Sequence, residues 1–297
     1  MQRYIVIEKR LGYTPLQELE ALRSVRPELA SVPLTYAGRL DPMASGKLLV
    51  LVGDECKKKK QYEKLDKEYE FEVLLGFKTD TGDVLGLSDD LCGEWDTNCF
   101  FSSCGTRSTL TPLRGCGFGP RTKNSDQCFA PECVAQSLVG SHTFPYPAFS
   151  SKTVGGKPLF EYALAGTLDT IGIPTVNVHI YSMRFMGART IPKNDAIDEI
   201  IARIGLLQIE GNTGRVARDF RKDEIVERWQ HLRGSADEQC TILRFKAVVS
   251  SGTYIRTLSA LIAQKLGTEG LAYSIHRTRM GRYQPIMGRL GFWRRTF

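Results

Sequence analysis

The chain has 297 residues, of which 42% are hydrophobic and 25% are charged, which is typical of a globular protein with one large domain or two small ones. Its longest apolar runs, such as residues 48–52, are far shorter than the roughly 20 residues of a membrane-spanning helix, and the N-terminus lacks a secretory signal. We therefore expect a cytoplasmic protein. The 40 Lys and Arg against 33 Asp and Glu leave a net charge of +7, which favours RNA, DNA or an anionic surface as partner.

The first predicted elements are a strand over residues 4–7 and a helix that begins after Thr14. Thr14 is placed to cap this helix, with Pro15 at its first position and Gln17 completing a capping box. The helical spacing predicts a stripe of core-facing leucines: Leu16, Leu19 and Leu22.

A buried strand over residues 47–53 is followed by a predicted lysine-rich helix. Asp54 is a candidate cap for this helix, which ends near Leu65. It carries four consecutive lysines, Lys57 to Lys60. These lysines form either a solvated face or a phosphate-binding surface.

Residues 68–75 alternate strictly between polar and apolar side chains, which predicts a half-buried strand. The alternation places Tyr69 on the inward face, together with Phe71, Val73 and Leu75. Residues 79–83 have the composition of a turn that closes the strand.

The stretch from residue 88 to 126 has neither strand nor helix periodicity, and we expect a mobile insertion. It is rich in cysteine, and none of the cysteines forms a C-x-x-C pair. The pairs Cys99 with Cys104 and Cys128 with Cys133 suggest a zinc site, but their spacing differs from that of common structural sites. We therefore expect no metal, and a chain of this size does not need disulfides to fold.

The rest of the chain mixes helices and strands without a repeating strand–helix unit, which predicts an α+β fold with a largely antiparallel sheet. A last helix is expected to be capped by Thr253 and to end at Gly267. The other helical patterns cover residues 129–140, 159–165, 195–204 and 223–232, and the strand patterns cover residues 176–186 and 241–250.

Residues 36–46 hold a carboxylate, Asp41, between two glycines and directly before a proline. Proline biases the preceding residue towards extended backbone, and Gly38 and Gly46 permit the close approach of another chain. Two interpretations are open: the loop presents Asp41 to a ligand, or Asp41 caps a helix.

Arg256 falls in the first turn of the helix that Thr253 is expected to cap. A cation there meets the positive end of the helix macrodipole, which costs about 0.3–1 kcal/mol. A carboxylate or an RNA phosphate would offset this cost. The alternative is a solvated guanidinium that reaches past the helix end.

A basic segment follows near the end of the chain. On an edge strand it would either follow RNA phosphates or keep the edge solvated. Its basic side chains are His276, Arg277, Arg279 and Arg282.

Several motif segments follow one another along the chain: Lys9 with residues 12–14, then residues 38–46, 67–69, 75–83, 147–163 and 251–258. Their content and order resemble the TruB family of tRNA pseudouridine synthases. The segments around Asp41 and Arg256 are the most specific to that family.

The resemblance implies a pseudouridine-synthase-like fold, in which helices flank a mixed sheet with a central cleft, and an enzyme that isomerises uridine in tRNA without cofactor or metal. Asp41 matches the family's catalytic nucleophile, Tyr69 a tyrosine that stacks on the target base, and Arg256 an arginine that pairs with the nucleophile. The carboxylate serves either by adding to the base or the sugar, or by assisting the loss of a sugar proton.

The resemblance also implies residues that bind the RNA. Ile275 matches an apolar residue beside the target base, Lys9 matches a lysine that braces the loop, and Arg39 lies in the Asp41 motif. Flipping a stacked uridine costs a few kcal/mol, which phosphate contacts must supply. The candidates for these contacts are Lys57, Lys58, Arg277, Arg279 and Arg282.

The chain also departs from the family. Tyr36 stands where the family usually has a histidine that helps to open the RNA loop. We expect the catalytic domain at residues 1–87 and 127–285, the insertion at 88–126, a second expansion at 188–240, and a C-terminal tail at 286–297 that is too short for the PUA domain of many members.

We expect a monomer that modifies the T-arm uridine at tRNA position 55. Two alternatives are a non-catalytic RNA-binding protein or tRNA chaperone of the same fold, and a guide-RNA-dependent synthase that modifies rRNA. The presence of Asp41, Tyr69 and Arg256 argues against the first alternative, and the expected lack of a PUA domain argues against the second.

Overall fold

The computed structural model describes residues 2–88, 130–208, 221–287 and 290–297. The strands are β1 (Tyr4–Lys9), β2 (Leu34–Ala37), β3 (Ala44–Val52), β4 (Asp66–Leu75), β5 (Gly140–Pro145), β6 (Thr153–Val154), β7 (Lys157–Pro158), β8 (Thr175–Pro192), β9 (Gln239–Val249), β10 (Gly270–Met287) and β11 (Leu290–Thr296). The α-helices are α1 (Pro15–Val25), α2 (Lys59–Glu63), α3 (Pro131–Ser137), α4 (Leu159–Leu164), α5 (Lys193–Gly205), α6 (Lys222–His231) and α7 (Ile255–Lys265). The predicted cysteine-rich insertion lies, apart from Ser88, outside the described residues.

Nine of the described strands form one sheet in the order β1-β3-β10-β4-β9-β8-β5, with β2 added to β3 and β11 added to β10. Neighbouring strands are antiparallel, except that β3 and β10 are parallel, with Ile275 opposite Ala44. The predicted α+β fold with a largely antiparallel sheet is confirmed. The parallel pair brings the start of β3, and with it the loop that precedes β3, beside the middle of β10.

The two faces of the sheet carry separate hydrophobic cores. Tyr69, Phe71 and Val73 of β4 face the core that includes residues of α3 and α7, as their alternation predicts. On the other face Leu74 packs in a core with residues of α5 and α6, where Trp229 is fully buried. Helices α5 and α6 therefore form a layer that packs on this face of the sheet.

The capping box of α1 is confirmed, with Thr14 accepting from the backbone of Gln17. Leu19 and Leu22 are buried, but the prediction for Leu16 is wrong, because its side chain is 52% exposed. The buried stripe of the helix consists of Pro15, Glu18, Leu19 and Leu22. Leu16 lies about 100° from that stripe on a helix of 3.6 residues per turn.

Two helix boundaries differ from the prediction. The lysine-rich segment begins as a 3₁₀ helix (Gly53–Lys58) after Val52, so Asp54 is not its cap. The last helix, α7, follows Tyr254 rather than Thr253. The Thr253 hydroxyl donates to the Ser250 carbonyl at 3.0 Å instead, and Arg256 still falls in the first turn of α7.

The segment expected to be a C-terminal tail contains β11, which pairs with β10.

No helix of the described residues is long and apolar enough to cross a membrane. No group of three or more His, Cys, Asp or Glu within the described ranges could hold a metal ion. Of the four cysteines considered for zinc, Cys133 alone lies in those ranges, on the exposed side of α3.

Candidate active site

Asp41 lies in the loop between β2 and β3, not at the start of a helix. β2 ends at Ala37 and β3 begins at Ala44, and the Ala44 amide donates to the Asp41 carbonyl at 3.0 Å. Gly38 turns the chain with a positive φ of 73°, which glycine adopts without steric cost. The helix-cap interpretation of Asp41 is therefore wrong, and the loop leaves its side chain 35% exposed.

A buried lysine holds this loop from beneath. Lys9 has no exposed surface, and its ammonium donates to the carbonyls of Pro42 at 3.1 Å and Ala44 at 2.6 Å. Burial lowers the pKa of Lys9 to about 8, although the carboxylates of Glu18 and Asp41 act to raise it. Lys9 thus contacts the backbone that directly follows the nucleophile candidate, at Pro42 and Ala44, whereas its buried position keeps it from RNA.

Arg277 is a second buried cation behind the loop. Its guanidinium donates to the carbonyls of Lys47 at 2.8 Å and Gly38 at 2.9 Å. The side chain has no exposed surface. The prediction that Arg277 contacts RNA phosphates is therefore wrong, because the Arg277 guanidinium is buried and binds the backbone of β3 and of the Asp41 loop.

Arg256 joins Asp41 to two other parts of the chain. Its Nε lies 3.0 Å from Asp41 Oδ2. Its Nη1 donates to the Thr81 carbonyl at 2.8 Å, and its Nη2 donates to the Phe149 carbonyl at 3.1 Å. The Arg256 side chain is only 5% exposed, whereas the Asp41 side chain is 35% exposed. The nearly buried guanidinium therefore pairs with a carboxylate that solvent can reach.

A second carboxylate, Asp83, faces the same guanidinium from the turn after β4. Its Oδ2 lies 3.8 Å from Arg256 Nε, and its Oδ1 accepts from the Thr81 hydroxyl at 2.8 Å and the Leu85 amide at 2.9 Å. Burial raises the pKa of Asp83, although Arg256 opposes the shift. Burial alone would lower the pKa of Arg256, but Asp41 and Asp83 raise it above its ordinary value, so the guanidinium remains a cation.

Tyr69 lies in the hydrophobic cluster under these two loops. The cluster includes Leu40, next to Asp41, and Ile255, next to Arg256, as well as Ile275. The register places Tyr69 opposite Arg277 on β10, which in turn lies opposite Gly46 on β3. The three catalytic candidates, which are far apart in sequence, therefore come from neighbouring strands and loops around one hydrophobic cluster.

Comparisons with known proteins agree with these motifs. A family model described as TruB family pseudouridylate synthase (N terminal domain) matches residues 29–94, which include Asp41, Tyr69 and Asp83. A relative from Aromatoleum aromaticum, tRNA pseudouridine synthase B, is 25% identical over 277 residues, which cover 93% of this chain and 62% of the relative. The protein of the same name from Streptococcus gordonii is 26% identical, and the match covers 98% of this chain and 71% of that protein.

The chain is thus similar to the TruB family, whose model covers residues 29–94, and to relatives that are 25% and 26% identical. It spans 62% and 63% of the length of two of these relatives, the second from Bifidobacterium longum. A solved structure described as a Cbf5-Nop10-Gar1 complex matches 94% of this chain and 49% of the other chain, at 15% identity and a TM-score of 0.47.

An aromatic group beside Asp41 was not singled out from the sequence, although it lies within two segments of the TruB resemblance. The rings of Tyr254 and Tyr146 meet edge-on with centroids 6.0 Å apart, and the Lys152 ammonium lies 5.0 Å from the Tyr146 centroid. Burial raises the pKa of Tyr254, and the charge of Asp41 adds to that shift. The position of Tyr254 two residues before Arg256 is the signal that would have found it.

The TruB resemblance suggested four further residues for RNA binding: Tyr36, Arg39, Lys57 and Lys58. Arg39 is exposed beside Asp41, and Tyr36 packs against the cluster beneath β2 with the Lys59 ammonium 5.0 Å from its ring centroid. Lys57 pairs with Asp54 at 2.8 Å and Lys58 with Glu55 at 3.1 Å. No hydrogen bond or ion pair of the described residues links these four side chains to Asp41.

Proposed function

We propose that this protein isomerises uridine to pseudouridine in tRNA, at the T-arm uridine of position 55, with Asp41 as the nucleophile. The observation that carries the proposal is the 3.0 Å contact between the accessible Asp41 carboxylate and the nearly buried Arg256 guanidinium. Similarity to the TruB family over residues 29–94 and the name of the relatives, tRNA pseudouridine synthase B, support the reaction and the substrate class.

The reaction breaks the bond between C1′ of the ribose and N1 of uracil and forms a bond between C1′ and C5. The C5 proton leaves and N1 gains a proton, so the product has the same composition as the substrate and no cofactor is needed. Asp41 either adds to the base or the sugar, or assists the loss of a sugar proton. Each route uses the Asp41 carboxylate, whose Oδ2 lies 3.0 Å from Arg256 Nε.

Tyr69 and Ile275 supply the apolar wall beside the reacting base. Both are nearly buried members of one cluster, at 7% and 8% exposure. In this proposal the Tyr69 ring stacks on the uracil, and its phenol helps to remove the C5 proton once the new bond has formed. Tyr254, which lies near Asp41, lines the other side of the base.

The target uridine must leave its stack in the RNA before it reaches Asp41. Flipping costs a few kcal/mol, which contacts to the flanking phosphates supply. Arg39 is the exposed cation nearest to Asp41 in sequence, and Lys57 and Lys58 are the further candidates, with RNA phosphates displacing their carboxylate partners. Tyr36 replaces the histidine of the family and remains a candidate for stacking on the opened loop.

The decisive experiment measures pseudouridine in a tRNA transcript after incubation with purified protein. Asp41→Asn keeps the size of the side chain but removes its nucleophilic charge, so we expect loss of pseudouridine at position 55 with tRNA binding within about threefold of wild type. Asp237→Asn, which changes an exposed carboxylate that forms no ion pair with the described residues, is the matched control and should retain full activity. Turnover by Asp41→Asn at the wild-type rate would contradict the proposal.

The same experiment separates the alternatives. A non-catalytic RNA-binding protein would bind the transcript without forming pseudouridine even as wild type. A guide-dependent enzyme would modify rRNA only when a guide RNA is added. A cytoplasmic location and a monomeric state remain predictions, and size-exclusion chromatography with light scattering tests the second.

A further inference from the structure

Four aromatic side chains form a row across one end of the sheet, which we call the aromatic row: His179, Tyr181, Tyr283 and Trp293. Successive ring centroids lie 4.8 Å, 5.3 Å and 5.3 Å apart. All four side chains are partly exposed. The row belongs neither to the hydrophobic clusters of the core nor to the site around Asp41.

The row forms because two strands of the sheet stop early. β4 and β9 separate β8 from β10 in the strand order, but β4 begins at Asp66 and β9 ends at Val249. Tyr283 lies beyond Gly281, the residue of β10 that pairs with Asp66, and it contacts Tyr181, which lies at a register shift of β8 next to the end of β9. The Asp66 carboxylate holds the contact, because it accepts from the Tyr181 hydroxyl at 3.2 Å and from the Tyr283 amide at 2.9 Å.

A basic hollow lies at one end of the row. Its volume is ≈ 470 Å³, and its lining includes Tyr283 together with three cations, Lys64, Arg282 and Arg294, and one carboxylate, Asp66. None of these three cations forms an ion pair with a carboxylate of the described residues. By contrast, Arg279 and Lys246 on the same sheet both pair with Glu68, at 3.5 Å and 3.3 Å.

A polar hollow lies at the other end of the row. Its volume is ≈ 330 Å³, and it is lined by His179 together with Ser141, Thr143 and Asn177. The Ser141 hydroxyl and His179 Nδ1 lie 2.9 Å apart. The aromatic row therefore connects a polar hollow with a basic one.

This combination matches the chemistry of unpaired nucleotides. Aromatic side chains stack on bases of any sequence, and unpaired lysine and arginine side chains bind the phosphates between them. Neighbouring rings in the row are about 5 Å apart, too close for a base to enter between them, so bases stack on the outer surface. Three unpaired cations around one hollow repel each other, and a polyanion removes that repulsion.

We propose that the aromatic row and its basic hollow form a second RNA-contact surface, which binds an unpaired stretch of the substrate RNA. Ile275 lies beside the start of β3, and Tyr283 lies eight residues further along β10, so these two side chains are about 26 Å apart along the strand at ~3.3 Å per residue. The proposal goes beyond the proposed function and depends on it only in taking RNA as the partner.

The test compares two double variants of the full chain. Arg282→Gln/Arg294→Gln removes two cations of the basic hollow. The control, Arg228→Gln/Lys265→Gln, removes the same charge at exposed positions on α6 and α7. The probe is a fluorescein-labelled ten-nucleotide oligouridylate, whose binding is measured by anisotropy at several salt concentrations.

We expect the basic-hollow variant to bind the probe at least about tenfold more weakly than wild type, and the control to stay within about twofold. The slope of log K against log salt should fall by about 1.4, for two phosphate contacts on a single strand at ~0.7 each. Equal losses in both variants, or no loss in either, would overturn the proposal.

Trp293→Leu tests the stacking contribution. Loss of one stacking platform should weaken binding by at least about fivefold with an unchanged salt slope, because no charge is removed. If Trp293→Leu fails to fold in a thermal melt, the arginine variant alone decides, because neither arginine forms an ion pair in the described structure. An unchanged affinity in folded Trp293→Leu would show that the rings do not stack on RNA.

A further comparison separates this proposal from the proposed function. Asp41→Asn should bind the oligouridylate as wild type does, whereas Arg282→Gln/Arg294→Gln should raise the KM for tRNA about tenfold and leave kcat within twofold. A protein that forms no pseudouridine but shows the expected binding pattern refutes the proposed function and supports this surface. The reverse pattern refutes the surface alone.

Discussion

Arg256 shows how one side chain can serve three separate segments. Its Nε faces Asp41 and Asp83, and its two Nη groups donate to the carbonyls of Thr81 and Phe149. The planar guanidinium holds N–H donors in fixed directions towards all of these groups at once, which an ammonium cannot do. The position in the first turn of α7 is tolerated because the two carboxylates offset the repulsion from the helix dipole.

Lys67 lies behind the loop that carries Asp41. Its titration should make the stability of the protein depend on pH. It is 6% exposed, its ammonium donates to the Glu63 and Leu65 carbonyls, and burial, with Arg277 second, lowers its pKa from 10.5 to about 7. Between these two pH values the unfolded chain binds more protons than the folded chain. The contribution of Lys67 to the free energy of unfolding therefore rises with pH from about 7 to about 10.5.

We expect Lys67→Met to flatten that rise. The measurement is the free energy of unfolding in urea at pH 7, 8, 9 and 9.5, for wild type, Lys67→Met and the exposed control Lys60→Met. Lys9, whose pKa is lowered to about 8, retains its own contribution in all three proteins. Parallel pH curves for wild type and Lys67→Met would contradict the prediction, even if the variant is less stable at every pH.

Among the residues, the sequence predicted those whose role depends on a local motif. Asp41 and Arg256 were identified in this way and lie in contact. Asp83 was missed, because an aspartate among threonines and glycines has the composition of an ordinary turn. Arg277 was assigned to the surface because a basic cluster does not reveal which of its members point inward, and only the pairing of β10 with β3 and β4 buries it.

At the scale of elements, the parallel pair of β3 and β10 positions the Asp41 loop. The strands approach closely at Gly46, which has a φ of 107° and where an added Cβ would lie 2.3 Å from the Arg277 carbonyl oxygen. A side chain there would meet backbone, which cannot move as a flexible side chain can. The glycine therefore permits the pairing that holds the loop carrying Asp41.

Gly46→Ala should accordingly lower the free energy of unfolding by about 2 kcal/mol or more, through positive-φ strain and the clash with β10. Gly205→Ala is the control, because an added Cβ at Gly205 meets open space and its φ is not positive. We expect the control to be as stable as wild type or more stable by up to about 1 kcal/mol, because alanine favours the helix more than glycine does. Urea unfolding measures both, and equal midpoints for the two variants would argue against a close strand contact at Gly46.

The sequence predicted most of the single elements but not their partners. Alternation correctly assigned the inward face of β4, because a half-buried strand has a period of two residues. Residues 286–297, which contain β11, were predicted to be a tail, although β11 pairs with β10 in a hairpin. Arg282, Arg294 and Arg295 are all exposed on that hairpin.

At the scale of the whole molecule, the second face of the sheet supports the candidate active site on the first. Trp229 of α6 is fully buried, and its indole Nε1 donates to the Val84 carbonyl at 3.0 Å. Val84 follows Asp83, which faces Arg256. The core of one face is thus joined through a short turn to the guanidinium that pairs with Asp41.

Trp229→Ala should lower the free energy of unfolding by about 3–5 kcal/mol, and the variant protein that remains folded should form pseudouridine more slowly because the turn carrying Asp83 loses its support. Leu164→Ala is the control, since Leu164 is 58% exposed and should change stability by less than about 0.5 kcal/mol. Chemical unfolding and a tRNA modification assay test the two effects. A destabilised Trp229→Ala with wild-type kcat would show that the turn is held without the indole.

By itself, the sequence determined the fold class, most helices and strands, and the catalytic candidates, because periodicity, capping and short motifs are local properties of a chain. Only the tertiary structure decided that Arg277 braces the loop, that Asp83 shares Arg256 with Asp41, and that the aromatic row exists. These features depend on which distant segments pair and on where neighbouring strands end. Such long-range contacts leave no repeating pattern along the chain, and the packing of the whole sheet selects them.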